Sequence, residues 1–272
     1  MHLSVCEVFL LSANPNIGLT GILNIENRTE NWKTSQFFSP LSKEKQLEFV
    51  EPLTLRTKKP LQTNSGSKAA PVRMELFWKG VRDYRHSLIK GKVEQEHAKG
   101  QRKREIAKEV DECLASRFWE RYKRCFKNLG CQVSKHKGFW PLVTPNYSIS
   151  EDFRDEKNRD IKELLYNNLR NTEMDIVFET DDHLLIGEAK YESAFGTNGK
   201  LVLVHQLIRQ FVTASLLIKV QEEREKVVVP FLIVDDEKWA KDTDQVDFML
   251  CQKWLFEDNI RTWKDLCAQL YG

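Results

Sequence analysis

Three residues in the stretch "EMDIVFETDDHLLIGEAKYE", Glu173 to Glu192, have types and spacing that could do chemistry: Asp175, Glu188 and Lys190. The run Leu184-Leu185-Ile186-Gly187 is apolar enough for a buried strand, yet it leads straight into Glu188-Ala189-Lys190, two opposite charges one residue apart. Charges at the buried end of a strand are costly unless something pairs them. Alternation along a strand puts Glu188 and Lys190 on one face and Ala189 on the other. If Asp181-Asp182 forms a two-residue turn, pairing outward from it sets Asp175 opposite Glu188 on that same face. A slip of one residue would send Asp175 to the other face. Two carboxylates that close repel unless one is protonated or a cation lies between them. The cation that fits is Mg²⁺, with Mn²⁺ as its substitute, because it takes hard oxygen ligands and often needs only one or two protein carboxylates, the rest being water and substrate phosphate oxygens. Without metal the pair is expected to be strained.

The elements that must position these residues are legible around them. "MDIVFET" and "LLIGEAKY" read as the two arms of a hairpin, β-branched and apolar. "LVLVHQLIRQFVTASLLIKV" has the length and stripe of a helix, and the continuous apolar run "KVVVPFLIVDD" suits a strand covered on both faces. Upstream, Ile106, Val110, Leu114, Phe118, Tyr122, Cys125 and Leu129 recur at helical spacing, with Gly130 placed as a C-cap. The stretch "MELFWKGVRDYRHSLIK" also reads as helix, "CQVSKH" as a short strand, and "DEKNRDIKELLYNNLRN" as a helix with Ile161, Leu164, Leu165 and Leu169 as its stripe. Two more helical stretches, "DQVDFMLCQKWLFED" and "TWKDLCAQLY", follow. The expected fold class is α/β: a mixed central β-sheet flanked by helices, with a helical or irregular N-terminal region. Residues 1–72 form the least legible segment and end in a linker, "KKPLQTNSGSKAAP". Residues 73–100 are expected to be a helical connector, and 101–272 the α/β core.

Composition narrows the function classes. A chain of 272 residues with 41% hydrophobic content can bury a real core. A net charge of +2 gives no whole-molecule field toward nucleic acid, so any such reading rests on local patches. The six cysteines form no CxxC pair, which argues against zinc, iron–sulfur and disulfide frameworks, and they read as reduced core thiols. No apolar run suits a membrane span. The N-terminus lacks a basic region and Glu7 interrupts its apolar run, so the expected compartment is cytoplasmic.

Asp175 followed by Glu188-Ala189-Lys190 resembles the Asp…(Asp/Glu)-x-Lys signature of the PD-(D/E)XK nuclease superfamily, and Glu173-Met174-Asp175 is similar to the Glu-x-Asp opening of some members. The resemblance covers Lys103 to Asp235 and implies a restriction-endonuclease-like core. Met174 stands where the family's name has Pro. The resemblance further implies metal-dependent phosphodiester hydrolysis. Asp175 and Glu188, with the Ala189 carbonyl, would hold Mg²⁺, and Lys190 would orient the attacking water or stabilise the pentavalent charge. Several branches carry a Gln on the next helix, which Gln206 and Gln210 resemble. Members often add a Glu from the first helix, where Glu112, nearest the stripe boundary, and Glu120, nearer the family's spacing, both qualify.

The function this implies is a DNA endonuclease of restriction or genome-defence type, with nucleic acid as partner, no membrane, and a homodimer allowed. The alternative is a catalytically silent nucleic-acid-binding or interaction module with the same fold, or an RNase or partner-dependent nuclease. Weaker features are read as structural: the Lys/Arg-rich helix Lys99 to Lys127 as a solvated face, His205 as a helix residue, and Trp239, Trp254 and Trp263 as core.

Overall fold

The structure is a computed structural model that describes residues 29–61, 72–126, 161–191, 193–196, 203, 205–221 and 226–271. These group into two compact units that interleave along the chain. The first gathers the described residues up to Trp78, those of Met174–Ala194 and those from Val227 onward; the second holds those of Lys79–Glu173 and Phe195–Lys226. Neither unit ends at the boundaries near residues 72 and 100 that composition suggests.

The first unit is a five-stranded mixed sheet, in order β1 (Arg73–Trp78), β2 (Met174–Glu179), β3 (His183–Ala189), β4 (Val227–Val234) and β5 (Ile260–Thr262). The first three strands pair antiparallel and the last three parallel. On one face Ile176, Phe178, Leu185, Ala189, Val229, Phe231 and Ile233 form a core with α1 (Thr29–Phe38), α2 (Lys43–Thr54) and α9 (Trp263–Tyr271). Parity assigns Asp175, Val177, Ile186 and Glu188 to the opposite face. The α/β class with a mixed sheet flanked by helices is therefore the observed one.

Three local features fit this sheet. Gly187 lies under the ring of Phe231, and an added Cβ would collide with that ring unless the ring shifted. Pro230 sits inside β4 without losing a ladder bond, because its carbonyl turns to Asn259 Nδ2 (3.2 Å) where β5 has not yet begun. The same amide donates to the Leu53 carbonyl (3.2 Å), tying the end of α2 to the strand. Between β4 and β5 lie α7 (Glu237–Lys241) and α8 (Asp244–Cys251). Helix α8 stops short of the stretch read as helical because Lys253 turns left-handed (φ 56°), and Lys253 N and Trp254 N return to the carbonyls of Leu250 and Met249.

The second unit packs α3 (Gly80–Gln95), α4 (Gly100–Cys125), α5 (Ile161–Arg170) and α6 (Gln206–Gln221). Ile106, Val110, Leu114, Phe118 and Tyr122 are buried along α4 as expected, but the stripe continues through Phe126 rather than Cys125. Arg85 of α3 donates to both carboxylate oxygens of Asp111 of α4, and the Tyr166 hydroxyl of α5 donates to the same carboxylate at 2.8 Å. Burial pushes Asp111 up, and these hydrogen bonds outweigh it, leaving the carboxyl below its usual range.

Several expectations need correction. Residues 73–78 are a strand, not part of a helical connector: pairing with the exposed side of β2 outweighs the weak helical spacing of "MELFW". Residues within 1–72 supply two core helices, whose few apolar side chains, among them Phe37, Phe38, Phe49, Val50 and Leu53, are nearly all buried. Strand β5 is too short for alternation to reveal it. Cys113, Cys125 and Cys251 are exposed, and only Cys267 among the described cysteines is a core residue. Trp263 is buried, whereas Trp239 is exposed. "CQVSKH", Leu129, Gly130 and most of the linker lie outside the described residues.

Candidate active site

The hairpin is built by its turn. Thr180 N donates to the His183 carbonyl at 3.0 Å, leaving Asp181 and Asp182 as the two central residues. Outward from it Glu179 pairs with Leu184, Phe178 with Leu185, Val177 with Ile186 and Ile176 with Gly187. The anticipated register is the observed one. The turn is pinned from outside: His183 lies between the Thr180 and Thr57 hydroxyls, 3.2 Å from each, and Lys59 pairs with Asp182 at 3.0 Å.

One step beyond the last ladder pair, the register sets Asp175 beside Glu188. Ala189 N donates to Asp175 Oδ2 at 3.1 Å, so the aspartate caps the end of β3. The β1–β2 ladder is interrupted at this point: Leu76 and Trp78 pair with Ile176 and Met174, while Phe77, abreast of Asp175, adopts φ 56°. A left-handed non-glycine residue stores about 1–3 kcal/mol of strain, which the surrounding pairs must hold.

Glu188 and Lys190 are on one face, as alternation requires, and Lys190 Nζ is 2.7 Å from Glu188 Oε1. Both side chains are buried, to 1% and 9% exposure, so this pair is desolvated and charge-assisted rather than a surface ornament. The two carboxylates are therefore not left facing each other uncompensated. Glu188 has a cationic partner and Asp175 accepts a backbone N–H. Lys190 itself is fixed at both peptide groups: its N donates to the Ile233 carbonyl (2.8 Å) and its carbonyl accepts from Trp263 Nε1 (3.0 Å). The next residue, Tyr191, receives the ammonium of buried Lys33 on its ring face.

Asp175 and Glu188 are two hard oxygen donors at one strand end, and that donor set fits Mg²⁺. Among the described residues no three His, Cys, Asp or Glu gather as a metal cluster, and Mg²⁺ commonly keeps several waters beside one or two carboxylates.

The auxiliary candidates lie in the second unit. Glu112 and Glu120 are exposed on α4 and pair with Lys108 (3.7 Å) and Lys123 (2.7 Å), the ordinary fate of charges on a solvated helix face. Glu112 lines a groove of about 680 Å³ with Arg104, Lys108, Asp111, Lys162, Glu163 and Arg170, four cations against three carboxylates. Gln206 opens α6, its Oε1 accepting from Gly196 N at 2.9 Å. Gln210 is the buried one, and its Nε2 donates to the carbonyl of Glu173 (3.0 Å), whose carboxylate pairs with Lys79 at 3.0 Å. Sequence reading did not find Lys33 or the contact of Trp263. Lys33 has no distinguishing spacing, but a Thr262-x-x-Asp265 capping box does mark Trp263 as the first residue of a helix.

Comparison of the chain with protein-family models, with curated proteins and with solved structures finds no match.

Proposed function

We propose that the protein is a divalent-metal-dependent phosphodiesterase acting on nucleic acid, DNA in the first instance, in the manner of the PD-(D/E)XK nucleases it resembles. The observation that carries this reading is the meeting of Asp175, Glu188 and Lys190 at one end of the β2–β3 hairpin. Asp175 and Glu188 are the ligands, and bound Mg²⁺ would supply polarisation of the scissile phosphate and a lowered pKa for the attacking water. The Ala189 amide orients Asp175 by holding one of its two oxygens. Lys190 presents a buried ammonium 2.7 Å from Glu188, placed to stabilise negative charge as it develops on the phosphate. A low-dielectric surrounding makes that charge worth more than it would be in water.

The test is incubation of the purified chain with plasmid, single-stranded DNA and RNA in Mg²⁺, Mn²⁺ or EDTA. Cleavage should require metal, and Asp175→Ala or Glu188→Ala should lower its rate at least ~10²-fold, the scale of losing a main electrostatic contributor. Cleavage that persists in EDTA or in Asp175→Ala rejects the reading. Binding of nucleic acid without cleavage would make the chain a silent module of the same fold.

A further inference from the structure

Lys190 stands one residue past the end of β3, where a chain leaving a sheet is ordinarily free to turn. It is not free here. Its N–H extends the β3–β4 pairing by one bond, to Ile233, and its carbonyl is held at 3.0 Å by the indole N–H of Trp263. With the peptide groups on both sides of its Cα fixed, the Cα–Cβ bond of Lys190 has one direction of departure, and from it the side chain reaches Glu188.

Trp263 is placed for this by local chemistry. Strand β5 passes into α9 with no intervening loop, because Thr262 Oγ1 accepts from Asp265 N (3.1 Å) and donates to the Asp265 carboxylate (2.6 Å), a reciprocal cap. The cap makes Trp263 the first helical residue, at the end of the parallel strand next to β4. The ring is buried to 2% and packs edge-on against Phe37 at 5.6 Å, a contact that phenylalanine could also make. What phenylalanine lacks is the donor, and indole has only that one polar group.

We infer that Trp263 is a positioning residue of the hydrolytic site: its N–H, by fixing the Lys190 carbonyl, sets the Lys190 ammonium against Glu188 and the reacting phosphate. The inference rests on the phosphodiesterase reading above. It assigns a role in the site to a residue 73 positions away in the chain. Misplacing a reacting group by about 1 Å can cost ~10²-fold in rate, so losing this backbone tether of Lys190 should cost about 10- to 100-fold.

The test is a kinetic cycle on the full chain with Mg²⁺ and a plasmid substrate, using Trp263→Phe, Lys190→Ala and the double variant. Expected are a kcat about 10- to 100-fold lower in Trp263→Phe with KM and DNA affinity unchanged, and a double variant no slower than Lys190→Ala alone. If Trp263→Phe does not fold, as judged by near-ultraviolet circular dichroism, 3-benzothienylalanine at position 263 keeps the ring shape and removes only the N–H. A folded variant of either kind with wild-type kcat overturns the assignment. So does a double variant in which the two losses multiply, since that is the signature of a general structural role. A wild-type chain that cleaves nothing with any metal rejects the phosphodiesterase reading itself and this assignment with it.

Discussion

A buried ion pair adds little over an apolar substitute, but removing one partner leaves the other charge uncompensated at a cost of about 3–5 kcal/mol. Glu188 and Lys190 are such a pair. In EDTA, Glu188→Gln should therefore melt lower than the parent, although the substitution removes one of two neighbouring carboxylates. Thermal or urea unfolding measures this, and a higher melting temperature would restore mutual repulsion of Asp175 and Glu188 as the governing term. His183 gives a second residue-scale prediction. Burial between Thr57 and Thr180 pushes its imidazole below the ordinary 6.5, a shift that a hydrogen bond with the Lys59 backbone and the charge of Asp182 oppose only in part. Above 6.5 both folded and unfolded chains hold it neutral. As pH falls toward the folded value only the unfolded chain takes up the proton, so stability present above 6.5 is lost on acidification. Melting temperature should drop more between pH 7 and pH 5 in the parent than in His183→Asn; equal slopes would remove His183 from the account.

At the scale of elements, β3 is the strand on which the site depends, and its weak point is Gly187. The Phe231 ring that covers it belongs to an aromatic cluster with Phe49 at 5.4 Å and Phe178 at 6.3 Å, so it has little room to retreat. Gly187→Ala should overpack this layer at a cost of about 1–3 kcal/mol and displace the adjoining Glu188. Urea unfolding together with cleavage rate checks both effects. A variant as stable and as active as the parent would mean that the ring moves aside freely. The hairpin turn works at the same scale. It sets the register that brings Asp175 to Glu188, and the Thr57 and Lys59 contacts hold it from a segment more than a hundred residues upstream.

For the whole molecule, the proposed metal binding would be linked to folding. A ligand that binds only the folded chain stabilises by RT ln(1 + [L]/Kd), about 2.7 kcal/mol at ~100 times Kd, which appears as a rise of several degrees in melting temperature. Mg²⁺ or Mn²⁺ should produce that rise in the parent and a much smaller one in Glu188→Gln. A melting temperature unmoved by millimolar metal, with nucleic acid present or absent, rejects Asp175 and Glu188 as ligands. No helix among the described residues is long and apolar enough to cross a membrane, and on α4 Arg102 is taken up by ion pairs with Glu96, Glu105 and Glu109.

What the sequence determined by itself was local. Two aspartates between two apolar β-branched runs define the turn, the turn defines the register, and alternation places Asp175, Glu188 and Lys190, all within sixteen residues of chain. Helical spacing likewise located α4, α5 and α6 because each buries a stripe of its own side chains. Tertiary structure decided what depends on distant partners. Residues 73–78 became a strand because the free side of β2 offered hydrogen bonds. The helices before residue 55 became core because the sheet face offered apolar area. Glu188 acquired a counter-charge beside its neighbouring carboxylate, in a pair whose two side chains are buried together. The hold of Trp263 on Lys190 joins residues that no periodicity connects. A hydrogen bond across so many intervening residues leaves no trace in local pattern, since only the packed sheet brings its two ends within 3.0 Å.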